Sequence, residues 1–137
     1  MQGLDTNILI RYLTQDDPIQ SPKATEIIER RLSRARPGFV SPFFISLVTM
    51  AEVVWVLSSV YELPDGQIAD AVERMLQADT LTIQNEQQVF TAMVSLRRGW
   101  GGFADALIAA LGAWAGCEST LTFDKKALRL AGFELLD

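Results

Sequence analysis

The stretch Leu4-Asp5-Thr6-Asn7-Ile8-Leu9-Ile10-Arg11-Tyr12-Leu13 decides how this chain is read. A short apolar run ends at an aspartate, and the apolar positions after Asn7 are dense and helix-like. The pattern predicts a strand, a tight turn and a helix. Asp5 then stands at the carboxyl end of a strand, where open α/β sheets place their ligands. Asn7 brings a second oxygen-bearing side chain to the same mouth. The plain structural role for Asp5 is that of helix cap, because Asp is among the best N-cap residues.

Downstream, strands and helices alternate. Thr14 to Pro18 is a polar turn, and Ser21-Pro22 reads as N-cap plus first-turn proline. Ala24, Ile27, Ile28 and Leu32 recur at helical spacing and carry a helix to about Arg34, stopped by Pro37-Gly38. Phe39-Val40-Ser41 reads as a second strand closed by Pro42. From Ser46 a helix apolar on nearly every face runs to Val60. Ile68, Ala71, Val72, Met75 and Leu76 form the buried stripe of another helix, and Leu81-Thr82-Ile83 is a third strand. Asn85 is placed to cap a helix carrying Val89, Phe90, Met93, Val94 and Leu96. A glycine-rich loop, Gly99 to Gly102, leads into a helix from Phe103 to Ala115. Ser119 to Thr122 is a fourth strand, Asp124 to Leu130 a last helix, and Phe133 to Leu136 a closing strand. Strands separated by helices imply a parallel sheet sandwiched between helical layers. No repeat, low-complexity tract or linker interrupts residues 1–137, which read as one domain.

Composition narrows the chemistry. The chain has 49% hydrophobic and 21% charged residues, a globular balance. No apolar run reaches the roughly 18–20 residues of a bilayer span, and no secretory-signal pattern opens the chain. The single cysteine, Cys117, follows an apolar helix and reads as a buried thiol; one Cys fits a reducing, cytoplasmic setting. A net charge of −5 argues against a broad nucleic-acid-coating surface. Basic groups at Arg30, Arg31, Arg34 and Arg36, at Arg97 and Arg98, and at Lys125, Lys126 and Arg129 read first as solvated faces and last-turn cations. The alternative is that some of them flank a mouth and hold phosphates. Histidine is absent, which removes Ser-His-Asp and Cys-His chemistry and the usual zinc sites. A metal here must be held by oxygen, which selects magnesium, manganese or calcium.

Four of the 17 acidic residues stand apart by their neighbourhoods. Asp5 is one. Glu52 lies inside the most apolar helix, Asp105 just inside the helix that begins at Phe103, and Asp124 at the junction after Thr120-Leu121-Thr122. Each has a structural role of its own. Thr49-x-x-Glu52 matches a capping box, although Ser46 is the better helix start. Asp105 suits a first-turn helix dipole, and Asp124 is a good N-cap. Taken together, strand ends and early helical turns of a parallel sheet open onto one edge. Carboxylates gathered there repel one another unless a cation neutralises them. A divalent ion resolves that conflict and can activate water at a phosphodiester.

Leu4-Asp5-Thr6-Asn7, Ala51-Glu52-Val53-Val54-Trp55-Val56-Leu57, Phe103 to Ala110 and Leu121-Thr122-Phe123-Asp124 resemble the acidic motifs of the PIN-domain ribonucleases, specifically the VapC-type toxins of toxin–antitoxin pairs. The resemblance implies a three-layer α/β/α sandwich with a short, mostly parallel four- to five-stranded sheet. It implies a magnesium- or manganese-dependent endoribonuclease, a homodimer, and a cognate antitoxin whose tail lies across the catalytic groove. It makes Asp5, Glu52, Asp105 and Asp124 the catalytic, metal-binding acids, with Asn7 and Thr122 as polar supports. Three of them, Asp5, Asp105 and Asp124, would anchor the ion while Glu52 orients or deprotonates the attacking water. One departure stands out: many relatives carry a further Asp three positions before the third acid, where this chain has Gly102.

Two other classes compete. A magnesium-dependent phosphotransfer domain would want paired acids after the first strand or Asp-x-Asp, and this chain has Asp5-Thr6-Asn7. A catalytically weak scaffold that binds RNA or a partner protein is compatible with Gly102. Tyr12, Phe43, Phe44, Trp55 and Trp100 offer aromatic surface for a partner, or for the core.

Overall fold

The computed structural model describes residues 1–32 and 36–137. Three short parallel strands form its first sheet: β1 (Gln2–Gly3), β2 (Phe43–Ile45) and β3 (Leu81–Ile83), in the order β1-β2-β3. Gly3 is paired with Phe44, and Phe44 with Thr82. Two further parallel strands, β4 (Thr120–Thr122) and β5 (Phe133–Leu135), pair as a second sheet, Thr120 with Phe133. Among the described residues six α-helices surround them: α1 (Thr6–Thr14), α2 (Gln20–Ile28), α3 (Leu47–Ser59), α4 (Asp65–Gln77), α5 (Glu86–Arg97) and α6 (Phe103–Trp114). The architecture is the expected α/β sandwich, with its five strands divided three and two.

The opening stretch folds as its pattern predicts. Leu4 N–H donates to the Phe44 carbonyl at 3.0 Å, continuing the β1 ladder by one bond. Asp5 is extended, and its Oδ1 accepts from Ile8 N–H at 3.3 Å, capping α1. Leu9 and Ile10 are then driven into the core. Ser46 caps α3 in the same way, its hydroxyl accepting from Thr49 N–H at 3.1 Å. Glu52 therefore closes no capping box.

The second strand lies later than its sequence suggests. Phe39 to Ser41 are not in a strand, and Pro42 opens β2 instead of ending it. Proline donates no hydrogen bond but accepts one, and the Pro42 carbonyl takes Gln2 N–H at 2.8 Å. Phe43 and Ile45 then turn inward and are buried. The helix expected from Ser21 to about Arg34 is also shorter. Asp17 Oδ1 accepts from Ile19 and Gln20 N–H at 2.9 and 2.6 Å, starting the turn early. At the far end the buried Thr80 hydroxyl donates to the Ile28 carbonyl at 2.6 Å, which ties down the last turn. Arg34 lies outside the described residues. The final helix is a 3-10 helix, Lys125–Arg129.

The core runs through α1, α3, α4, α5 and α6, with Leu9, Met50, Val53, Leu57, Val72 and Val89 all sealed from solvent. Phe90 does not join it; the buried stripe of α5 is Val89, Ala92, Met93 and Leu96, and Phe90 falls outside that face. Cys117 is exposed, because the chain turns away from the core at Gly116, whose φ of 98° only glycine adopts without strain. No described helix is long and apolar enough to cross a membrane.

The C-terminal unit sits on α6 through small residues. A Cβ at Gly101 would meet Leu130, one at Gly112 would meet the Thr120 hydroxyl, and one at Gly132 would meet Ala109. At Gly101 and Gly112 the approach, 2.6 and 2.9 Å, leaves no room for a Cβ without a shift, and Gly112 sets α6 directly against the start of β4.

Candidate metal centre

All strands of the first sheet point the same way, so their carboxyl ends share one edge. Asp5 follows β1 there and Ser46 follows β2. Gln84 follows β3: its N–H donates to the Ile45 carbonyl at 2.9 Å, and its side-chain oxygen accepts from Leu47 N–H at 3.0 Å. This pair of bonds locks the start of α3 to the edge. Glu52 lies about 9 Å along the helix axis from Ser46. It is exposed, on the same face as Val48 and Trp55, which are 76% and 63% exposed. The helix read as apolar on nearly every face thus leaves one face open, and that face carries the acid.

Asp105 lies in the first turn of α6, exposed, after an N-terminus that Gly102 leaves without a side-chain cap. Asp124 follows β4 and is held twice. Its backbone N–H donates to Thr122 Oγ1 at 3.0 Å, and its Oδ1 accepts from Lys126 N–H at 2.9 Å. Thr122 is therefore a support for Asp124, through its backbone. The elements carrying the acids are neighbours in series: α1 packs on α3, α3 on α6, and α6 on β4.

Among the described residues, no three His, Cys, Asp or Glu side chains stand together as a group that could hold one ion. Asp5 and Asp124 each spend one oxygen on a backbone N–H, and a carboxylate has about four acceptor positions, so capping leaves donors to spare. Magnesium is bound by one or two carboxylates with waters completing its shell. An exposed, all-oxygen donor set on adjacent elements is compatible in chemistry with a hard divalent ion.

Asp5 and Asn7 open into a groove of about 600 Å³ between α1 and α2, reached also by Arg11 and Lys23. A larger hollow of about 720 Å³ runs beside β3, between Phe39 and Trp114, and contains none of the four acids. The smaller groove is the relevant one, because it adjoins the sheet edge where Asp5 stands. Arg11 is fixed in it: Nε donates to Gln20 Oε1 at 2.9 Å and Nη1 to Asp16 Oδ1 at 3.1 Å. The Tyr61 hydroxyl donates to Asp16 Oδ2 at 2.6 Å and the Thr14 hydroxyl to Oδ1 at 2.8 Å. These donors, Tyr61 foremost, draw the Asp16 carboxyl down to about 2. None of this knot was singled out from the sequence, where Asp16 looked like a polar turn residue.

The basic groups divide. Arg97 is committed to Asp70 and Glu73 of α4, at 2.7 and 2.6 Å. Arg98 lies over the Trp100 ring, 5.3 Å from its centroid. Arg129 donates to the Gly99 carbonyl at 2.9 Å. Lys125 and Lys126 remain exposed beside Asp124. Of the aromatic residues expected to offer surface, Phe43 is core, Tyr12 and Phe44 are half-buried, and Trp55 and Trp100 are exposed.

Compared with known proteins, the chain matches no curated protein and no solved structure at a significant level. The family model described as PIN domain matches residues 4–133, a span that takes in β2, β3, β4 and all four acids. PIN domains are in general metal-dependent nucleases. With nearly its whole length matched, the chain belongs to the PIN-domain family.

Proposed function

We propose that this chain is a magnesium- or manganese-dependent endoribonuclease acting as the toxin of a toxin–antitoxin pair. The observation that carries the reading is the placement of four acids on neighbouring elements, all exposed, within the span matched to the PIN domain. Asp5, Asp105 and Asp124 hold the ion, and Glu52 orients or deprotonates the attacking water. Thr122 fixes Asp124, and Asn7 stands beside Asp5 to orient water or substrate. A divalent ion supplies charge neutralisation at the phosphodiester and acidifies water. Glu52 is suited to its role by exposure, since a base must reach solvent-derived water.

In this reading the protein acts in the cytoplasm. It is a homodimer, and the exposed apolar side chains Ile108 and Trp114 of α6 supply surface for a second copy. The cognate antitoxin places an Arg or Lys near the acids and competes with metal. A second reading, a weak scaffold that binds RNA or a partner protein, is favoured by Gly102 and by the lack of a three-acid group among the described residues. Cleavage of total RNA by purified protein decides between them. Magnesium-dependent cutting that Asp105→Asn abolishes supports the nuclease. Equal degradation by both proteins, or cutting indifferent to chelator, overturns it.

A further inference from the structure

We propose that the groove between α1 and α2 is the subsite for the nucleotide next to the cleaved phosphodiester, with Lys23 holding that nucleotide's phosphate. The inference rests on the nuclease reading and adds a substrate contact to it. The groove's volume of about 600 Å³ admits a nucleotide, and Asp5 is part of its lining. Its walls are chemically divided. Ile8, Ala24 and Ile27 give an apolar floor against which a base or ribose can lie, while Asn7 and Gln20 give amide edges at the rim. Gln20 has its side-chain oxygen occupied by Arg11, so its NH₂ is left to donate.

The two cations of the groove are not equivalent. Arg11 is held by Asp16 and Gln20, so its charge is already met. Lys23 is exposed and makes no hydrogen bond or ion pair with the described residues. A free ammonium at the rim, beside a cavity that leads to a candidate ligand of a divalent ion, is placed to meet a backbone phosphate. Single-stranded RNA is contacted in this way, with bases on apolar surface and phosphates on cations. With Asp5 neutralised by an ion, the groove carries net positive charge, and an acidic protein gains a local track for a polyanion.

The test measures binding of a fluorescent single-stranded oligoribonucleotide to the Asp105→Asn protein with magnesium present, across a salt series, with and without Lys23→Ala. One lost phosphate contact lowers the slope of log K against log salt by about 0.7, with about two- to fivefold weaker binding, the scale of an exposed charge pair. Lys23→Arg keeps the slope. In the otherwise unaltered chain, Lys23→Ala raises KM and leaves kcat near its starting value. Should the slope and KM both stay put while magnesium-dependent, Asp105-dependent cutting persists, the subsite is refuted and the nuclease stands. Should the slope change in a protein that never cuts, the groove binds RNA and the nuclease reading is what fails. Absence of any oligonucleotide binding overturns the subsite outright.

Discussion

Replacing Gly101 by alanine tests the packing that positions Asp124. An ideal Cβ at Gly101 lies 2.6 Å from Leu130 Cδ1, 2.8 Å from Cγ and 3.0 Å from Cδ2. Carbon atoms pack at about 3.5–4.0 Å, so all three must retreat by roughly 1 Å. Rotating the end of the side chain does not relieve this, because the branch carbon itself is too close. Leu130 is only 5% exposed and has little free volume to enter. Overpacking of this kind costs about 1–3 kcal/mol. The lost chain entropy of glycine works the other way, by about 0.4–1 kcal/mol, since Gly101 does not need a positive φ. The net expectation is a destabilisation of about 0.5–2 kcal/mol. At this chain length that lowers Tm by about 3–5 °C per kcal/mol.

Urea and thermal unfolding of four proteins check it: unaltered, Gly101→Ala, Leu130→Ala and the double variant. Leu130→Ala alone costs about 2–5 kcal/mol. Where the clash is real, Gly101→Ala costs little or nothing once Leu130 is already alanine. Gly66→Ala in α4 serves as control, because nothing lies within 4 Å of its Cβ and alanine there gains about 0.5–1 kcal/mol. Additive effects in the double variant, or a Gly101→Ala protein more stable than the original, refute the reasoning. The displacement also has a functional reading. Leu130 N–H donates to the Ala127 carbonyl at 2.9 Å, within the turn that Asp124 caps, so forcing Leu130 outward disturbs that acid.

Other outcomes follow from single contacts. Gly102→Asp meets no atom within 4 Å of its Cβ and stands at the uncapped start of α6, so it gains a few tenths of a kcal/mol as a cap. If the nuclease reading holds, it also lowers the magnesium concentration for half-maximal cutting, read by a metal titration. Ser46→Ala removes the bond to Thr49 N–H and costs about 0.5–2 kcal/mol in urea unfolding. The folded Asp16 carboxyl titrates at about 2, below its ordinary 3.8. Its stabilisation is therefore present above about 3.8 and lost as pH falls through about 2. Acid-unfolding curves of the original and Asp16→Asn proteins should accordingly differ at pH 5 and converge near the acid end.

What the sequence made legible was what local chemistry controls. Asp5 and Ser46 were readable as helix starts because a side-chain oxygen three residues before a donor is a local geometry. Leu81-Thr82-Ile83 was readable because its alternation is strict and its neighbours are turn residues. Phe39 to Ser41 misled because it has the composition of a strand, while the choice between it and Phe43 to Ile45 is made by β1 and Thr80, both distant in sequence. Cys117 misled for a related reason: an apolar helix before it says nothing of which way the chain leaves. The acids stand out in the sequence by their neighbourhoods, whereas the knot of Arg11, Asp16, Tyr61 and Thr14 does not, since Tyr61 arrives from the far end of α3.

The acids' separation in the chain has a physical consequence for how such a site forms. Each stands on a different element, and the contacts that hold those elements are independent of the other acids: Ile8 N–H on Asp5, Thr122 and Lys126 on Asp124, and Gln84 on the start of α3, the helix of Glu52. Folding therefore does not require the carboxylates to be driven together, and their mutual repulsion is not charged against stability, because each is free to stay in water. On the proposed nuclease reading, a cation that draws them inward would act on side chains alone, with the backbone already in place. On this argument, removing one charge by Asp105→Asn leaves the unfolding free energy within about 0.5 kcal/mol in the presence of chelator, as for other exposed substitutions. If the nuclease reading holds, the same change reduces the stabilisation that added magnesium gives, by the linkage between ligand affinity and folding. A large stabilisation by Asp105→Asn without metal would mean that the acids already press on one another in the free chain, and the side-chain-only picture of assembly would have to be abandoned.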